Sequence, residues 1–166
     1  LLVFRWEEGE TLATLAAPAD GAERRRLALL VARDIGAALD DLHAVGAAHG
    51  DIKPQNIVLS ATGARLIDFG LAGDASAESA SGGTRRYLAP EVLSGAGGGD
   101  ARRRDLFALG LVLAELLLPV LKEAERAQEL LPAGDALAEA ARALLAREPG
   151  ARPSAAWLRQ RALAAG

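Results

Sequence analysis

Cysteine and methionine are both missing from the 166 residues, and lysine and histidine occur only twice each. Without a thiol there is no disulfide framework, no thiolate zinc site and no cysteine nucleophile. Two histidines, His43 and His49, are too few for a histidine-rich metal centre. No run is long and apolar enough to cross a bilayer: the best, Leu106 to Leu118, is interrupted by Glu115 and stopped by Pro119, so it reads as a buried helix. The net charge is −3, which argues against a polybasic nucleic-acid module. The chain opens on Leu1 with no signal-peptide layout, as expected of a piece cut from a longer protein. What is present, 51% hydrophobic and 25% charged residues, fits one soluble globular domain with a sizeable core and excludes disorder.

Hydrophobic spacing organises the chain. Leu1 to Trp6 predicts a strand, Glu7 to Glu10 a turn, and Thr11 to Ala17 a short helix. Leu27, Leu30, Val31, Ile35, Ala38, Leu39 and Leu42 recur at three and four residues and predict one long amphipathic helix over 23–45, stopped by Gly46. Ile57 to Ser60 and Arg65 to Asp68 predict a hairpin. The Ser-, Gly- and Ala-rich stretch 70–99 reads as a long loop, and Asp105 to Leu118, apolar on nearly every face, as a central helix. Helices over 122–131, 135–147 and 154–164 complete a helical last third. The glycines from Gly95 to Gly99 lack the spacing and following Lys-Ser or Lys-Thr of a phosphate loop and read as a connector.

The chemistry concentrates in His49-Gly50-Asp51-Ile52-Lys53-Pro54-Gln55-Asn56. This segment resembles the catalytic loop of eukaryotic-type (Hanks-type) Ser/Thr protein kinases, and Asp68-Phe69-Gly70 resembles that family's magnesium-binding tripeptide. Gly83-Thr84 and Tyr87-Leu88-Ala89-Pro90-Glu91 are similar to the end of its activation segment, while Asp105 and Arg152 fall where it has a buried Asp and an Arg. Singly, Asp51, Asn56 and Asp68 read as ordinary turn residues; the order of all the pieces carries the resemblance. Together with an Ala- and Arg-rich composition, it implies a bacterial member.

The resemblance implies a mostly α (α+β) fold, a kinase-like C-terminal helical lobe over 10–166 with a small hairpin, preceded over 1–9 by the last strand and hinge of the N-terminal lobe. ATP and Mg²⁺ are the implied cofactors, and a protein carrying Ser or Thr the implied substrate, in the cytoplasm where ATP is available. Phosphoryl transfer needs a base for the nucleophile and cations to offset phosphate charge. Asp51 is the candidate base, Asn56 and Asp68 are hard oxygen ligands suited to Mg²⁺, and Lys53 is placed to balance the transferring phosphate. By resemblance, Arg5 and Glu7 bind adenine through their backbone, Val58 floors its pocket, Phe4 is the gatekeeper, and Thr84 bonds near Lys53. His49, beside Phe69, and His43 are expected to be structural, as are Asp105, anchoring the loop, and an ion pair between Glu91 and Arg152.

Two departures matter. Gly50 stands where the family often has an Arg that receives an activation-segment phosphate, so activity is expected not to depend on phosphorylation of Ser76, Ser79, Ser81 or Thr84. Residues 1–166 also contain no Gly-rich phosphate loop, strand Lys or helix Glu of the N-terminal lobe, so these residues alone are expected to be poorly active. The alternatives are a kinase-like lobe serving as a docking scaffold, or a small-molecule phosphotransferase. The Lys-Pro after Asp51 and the Gly-Thr to Ala-Pro-Glu segment favour a protein substrate.

Overall fold

A computed structural model describes residues 8–68, 85–95, 99–118, 120–121 and 126–164. The expected strand Leu1–Trp6, the hinge residues Arg5 and Glu7, and the segment carrying Phe69, Gly70, Ser76, Ser79, Ser81 and Thr84 lie outside these residues, as does Lys122. The elements run β1 (Glu10–Thr11), α1 (Leu12–Ala16), α2 (Gly21–Ala44), β2 (Ile57–Ser60), β3 (Gly63–Leu66), α3 (Pro90–Leu93), α4 (Ala101–Leu117), α5 (Ala127–Leu130), α6 (Ala136–Leu144) and α7 (Ala155–Ala164). Short 3₁₀ turns occupy Pro54–Asn56 and Pro149–Ala151.

Side-chain caps set the helix starts. Asp20 accepts a hydrogen bond from the Glu23 amide at 2.9 Å and opens α2, Asp100 accepts from the Arg102 amide at 3.0 Å and opens α4, and Asp135 accepts from Leu137 and Ala138 to open α6. Each cap satisfies amides that the helix leaves without a partner, worth about 1 kcal/mol. The helix expected over 23–45 thus begins two residues earlier, at Gly21.

Helix α4 is the centre. Its residues from Asp105 to Ala114 are all buried, as the unbroken apolar sequence requires. Helix α2 packs on it through the stripe Leu27, Val31, Ile35 and Leu39, and α6 packs on another face through Leu137, Ala141 and Leu144. Helix α7 lies along α2. Among the described residues no helix is long and apolar enough to cross a membrane.

A three-stranded antiparallel sheet, in the order β1-β2-β3, rests on this helical body. The hairpin register runs from Ile57 opposite Leu66 to Ser60 opposite Gly63, so β3 lies two residues earlier than the sequence pattern suggests. The reason is Asp34 of α2, whose Oδ2 accepts the Ala64 amide at 2.9 Å and draws the turn onto the helix. Gly63, at φ +123°, permits this approach: a Cβ there would stand 2.4 Å from Asp34 Oδ2. Strand β1 was not expected; Glu10 and Thr11 pair with Leu59 and Val58. Similarly, the loop expected over 70–99 contains α3, opened by Pro90 at its first position, a favoured place for proline. The helix expected over 122–131 is described only from Arg126 on, where α5 occupies Ala127–Leu130.

Candidate active site

The segment His49–Asn56 links α2 to β2 and is held from beneath by one carboxylate. Asp105 of α4, 1% exposed, accepts the His49 amide on Oδ2 and the Gly50 amide on Oδ1, both at 2.8 Å. Its Oδ2 also lies 3.0 Å from His43 Nε2. These bonds fix two consecutive peptide groups immediately before Asp51. Gly50 takes φ +83°, a left-handed conformation in which a side chain is strained, which accounts for glycine at this step. His49 is fully buried, and its Nε2 lies 3.2 Å from the Ile67 carbonyl, tying this segment to the residue before Asp68.

Asp51 emerges at the surface of this platform, with its side chain 21% exposed and that of Lys53 20%. Lys53 Nζ donates to Asp51 Oδ2 at 2.7 Å, and Asn56 Nδ2 donates to the same oxygen at 2.9 Å. Asn56 Nδ2 also donates to the Asp51 carbonyl at 2.9 Å, so one amide nitrogen fastens both ends of Asp51. The Asn56 amide nitrogen being so committed, its Oδ1 remains as the acceptor and accepts no hydrogen bond from a described residue. The Ile67 amide donates to the Asn56 carbonyl at 3.0 Å, which sets Asp68 one residue beyond the Asn56 backbone. Asp68 is exposed and adopts φ +62°, the only non-glycine left-handed residue among those described. Such a conformation costs about 1 kcal/mol or more and persists where surroundings impose it.

Asp51, Lys53 and Asn56 are therefore brought into direct contact, and Asp68 is joined to them through the backbone. No group of three or more His, Cys, Asp or Glu side chains among the described residues can enclose a metal ion. An amide oxygen and a carboxylate, Asn56 Oδ1 and Asp68, instead fit Mg²⁺, which keeps waters and phosphate oxygens and needs few protein ligands. Val58 is buried in β2, where it pairs with Thr11 on one side and Arg65 on the other.

A family model described as protein kinase domain matches residues 1–130. The chain belongs to the protein kinase family. It is 43% identical over 96 residues to serine/threonine-protein kinase PknE of Mycobacterium tuberculosis, covering 54% of this chain and 17% of that protein. It is 42% identical over 96 residues to serine/threonine-protein kinase PknD of the same species, covering 54% and 14%. To the probable serine/threonine-protein kinase PkwA of Thermomonospora curvata it is 49% identical over 78 residues, covering 44% and 10%. The chain thus spans less than a fifth of the length of these relatives.

Two more polar clusters tie the helical body together. The Arg152 guanidinium, fully buried, makes a two-pronged pair with Glu91 at 2.7 Å through each nitrogen. It also donates to the carbonyls of Ala146 at 2.8 Å and Arg103 at 2.9 Å and stacks 5.0 Å from the Phe107 ring centre. Burial by itself would raise the Glu91 pKa, but the Arg152 hydrogen bonds outweigh it and hold the carboxyl below the usual glutamate range. The expected ion pair is thus present, satisfied along both partners.

The second cluster centres on Glu115, the carboxylate that interrupts the apolar run of α4. Its Oε1 pairs with Arg86 and its Oε2 accepts the Tyr87 hydroxyl at 2.7 Å, while Arg86 also donates to the Leu121 carbonyl at 2.7 Å. Burial, then the neighbouring Glu115 carboxylate, push the Tyr87 hydroxyl pKa well up. Sequence reading noted Glu115 only as an interruption; a lone carboxylate in a central apolar helix was the available signal. Likewise it assigned no partner to His43, whose contact with Asp105 joins residues 62 positions apart.

Proposed function

We propose that this chain carries the catalytic part of an ATP-dependent kinase that phosphorylates serine or threonine on a protein. Residues 10–166 form its C-terminal lobe, and 1–9 the last strand and hinge of the N-terminal lobe. The observation that carries the reading is the convergence of Lys53 Nζ and Asn56 Nδ2 on Asp51 Oδ2, at 2.7 and 2.9 Å, above a loop pinned to Asp105.

In this reading Asp51 is the general base. Its Oδ2 is held by Lys53 and Asn56, so Oδ1 is presented to the acceptor hydroxyl, orienting it and accepting its proton. Lys53 bridges the base and the reaction centre, where its ammonium balances negative charge on the transferring group. Asn56 Oδ1 and the Asp68 carboxylate hold magnesium, the backbone of Arg5 and Glu7 binds adenine, and Val58 floors the adenine pocket. When bound, MgATP supplies the γ-phosphoryl group with its charge partly neutralised. The Gly-rich loop, strand Lys and helix Glu come from an N-terminal lobe, and without them positioning is incomplete and turnover low. The Lys-Pro after Asp51 supports Ser or Thr on a protein rather than a small-molecule acceptor, and the cytoplasm is the proposed location because ATP is there. Gly50 offers no guanidinium to a phosphate, so activity does not depend on a phosphorylated activation segment.

The test pairs this chain with a kinase N-terminal lobe and measures phosphate transfer from ATP to a Ser- and Thr-containing protein. Asp51→Asn is expected to lower transfer by about 10²- to 10⁴-fold, the range for a positioned base, with unfolding unchanged. A magnesium-dependent thermal shift with ATP is expected and should disappear in Asp68→Asn. Nucleotide binding without transfer would instead make the lobe a scaffold.

A further inference from the structure

A cavity of about 220 Å³ opens beside the loop that carries Asp51. Ala13 and Ala16 of α1, Arg24 of α2, Pro54 and Gln55 of the loop and Glu115 of α4 line it, and the rest of its lining is apolar. Gln55 is exposed and directly precedes Asn56, whose Nδ2 holds Asp51 Oδ2, so the cavity lies one residue from a group that touches the proposed base. Val58 does not line it, which separates it from the proposed adenine pocket. Pockets for whole small molecules run to about 300–1,000 Å³, so this one has room for a side chain. The charges facing it are already committed. Glu115, its side chain 21% exposed, gives Oε1 to Arg86 and Oε2 to the Tyr87 hydroxyl. Arg24 is fastened to backbone, donating from Nε to the Ala19 carbonyl at 3.1 Å and from Nη1 to the Glu115 carbonyl at 3.4 Å. Two guanidinium groups thus stand against a single carboxylate whose oxygens are both taken.

We propose that this cavity takes one uncharged, apolar side chain of the protein being phosphorylated, near its Ser or Thr, and that Arg86 sets this specificity by occupying Glu115. An entering alkyl group covers Ala13, Ala16 and the Pro54 ring and gains by leaving water. An entering Arg or Lys meets Arg24 and finds no carboxylate oxygen open to it, so its desolvation goes uncompensated. Without Arg86, Glu115 Oε1 would be open and the same cavity would select a cation. Arg86 thus acts on the substrate through Glu115, 29 positions away in sequence. The occupant is a piece of a kinase's substrate, so this specificity rests on the function proposed above.

The test uses peptides with one Ser in an Ala background, each flanking position changed in turn to Leu, Glu or Arg, as acceptors for the chain assembled with a kinase N-terminal lobe. At one flanking position kcat/KM is expected to favour Leu over Arg by about fivefold to tenfold, the discrimination a small apolar pocket provides. Arg86→Gln should reverse the order at that position alone, raising transfer to the Arg peptide about tenfold, and adding Glu115→Gln should abolish the gain. A merely structural role for Arg86 would lower transfer to all peptides alike, and that result overturns the proposal. So does an unmodified chain that shows no preference at any position, or that prefers Arg or Glu where Arg86→Gln acts. Where Arg86→Gln does not fold, Ala13→Leu, which fills the cavity from α1, should erase the Leu preference and leave transfer to the all-Ala peptide unchanged. A Leu preference untouched by Ala13→Leu places it elsewhere and overturns the proposal, and altered self-association in its stead gives the cavity to a second copy of the chain. If no peptide is phosphorylated, the kinase reading fails on its own. The cavity is then judged by fluorescence anisotropy of the same peptides on the 166-residue chain, where the Leu-over-Arg order and its reversal in Arg86→Gln are expected and their absence overturns the specificity.

Discussion

The two sides of the loop from His49 to Asn56 are built on opposite principles. Beneath it lies the buried carboxylate of Asp105, with both oxygens bonded, and elsewhere in the helical body the buried Arg152 guanidinium binds both oxygens of Glu91. Above it, Asp51 and Lys53 keep about a fifth of their side-chain surface exposed, and Asp68 is exposed outright. Charges in the interior are expensive and survive only when fully paired, so they fix a backbone shape. Those at the surface are cheap to leave incomplete, which is what a group awaiting a substrate requires. Changes below should therefore be read first in stability, and changes above first in chemistry.

The largest break in that division is Arg152→Ala. It strands Glu91 and several carbonyls in the interior, and an expected loss of about 3–5 kcal/mol should appear in urea unfolding. Next, Asp105→Asn keeps the shape and removes one acceptor, leaving the His49 or Gly50 amide without its partner. A loss of about 1–3 kcal/mol is expected, with rapid exchange at these two amides and little change in α6 or α7.

A smaller effect comes from acid. Because the folded state holds Glu91 below its ordinary range, the unfolded chain binds the proton more readily, and stability from this pair falls as pH falls. The contribution is complete above the usual glutamate value, near pH 4.3, and is lost as pH drops through the folded value. The stability gap between the unaltered chain and Glu91→Gln should accordingly narrow below about pH 4. Smallest of all, changing Ser76, Ser79 and Ser81 together to Ala is expected to leave phosphate transfer within about twofold, because Gly50 has no side chain to meet a phosphate. A collapse of transfer in that folded variant would show that some other cation serves as the receptor.

Much of this division was legible before any coordinates. The stripe on α2 and the all-round apolarity of α4 specify which helix lies on the surface and which at the centre. The residues Asp51, Lys53, Asn56 and Asp68 stand out by type and order. What periodicity could not carry is pairing across long separations. Glu10 and Thr11 become a strand only because Leu59 and Val58 are there to receive them. The two-residue shift of β3 depends on Asp34, thirty positions away from Ala64. The same holds for Arg86 and Glu115, which read as an arginine in a loop and a blemish in a helix until the fold joins them.

The separation between the loop and its anchor has a consequence for biosynthesis. His49 and Gly50 leave the ribosome 56 and 55 residues ahead of the carboxylate that will shape them. Helix α2 can form as it emerges, since its bonds are local, whereas closing so long a span carries an entropic cost that only the arrival of α4 offsets. A nascent chain halted before Asp105 therefore holds every residue proposed to do chemistry and has no means of arranging them, so competence is reached late in translation rather than piecemeal.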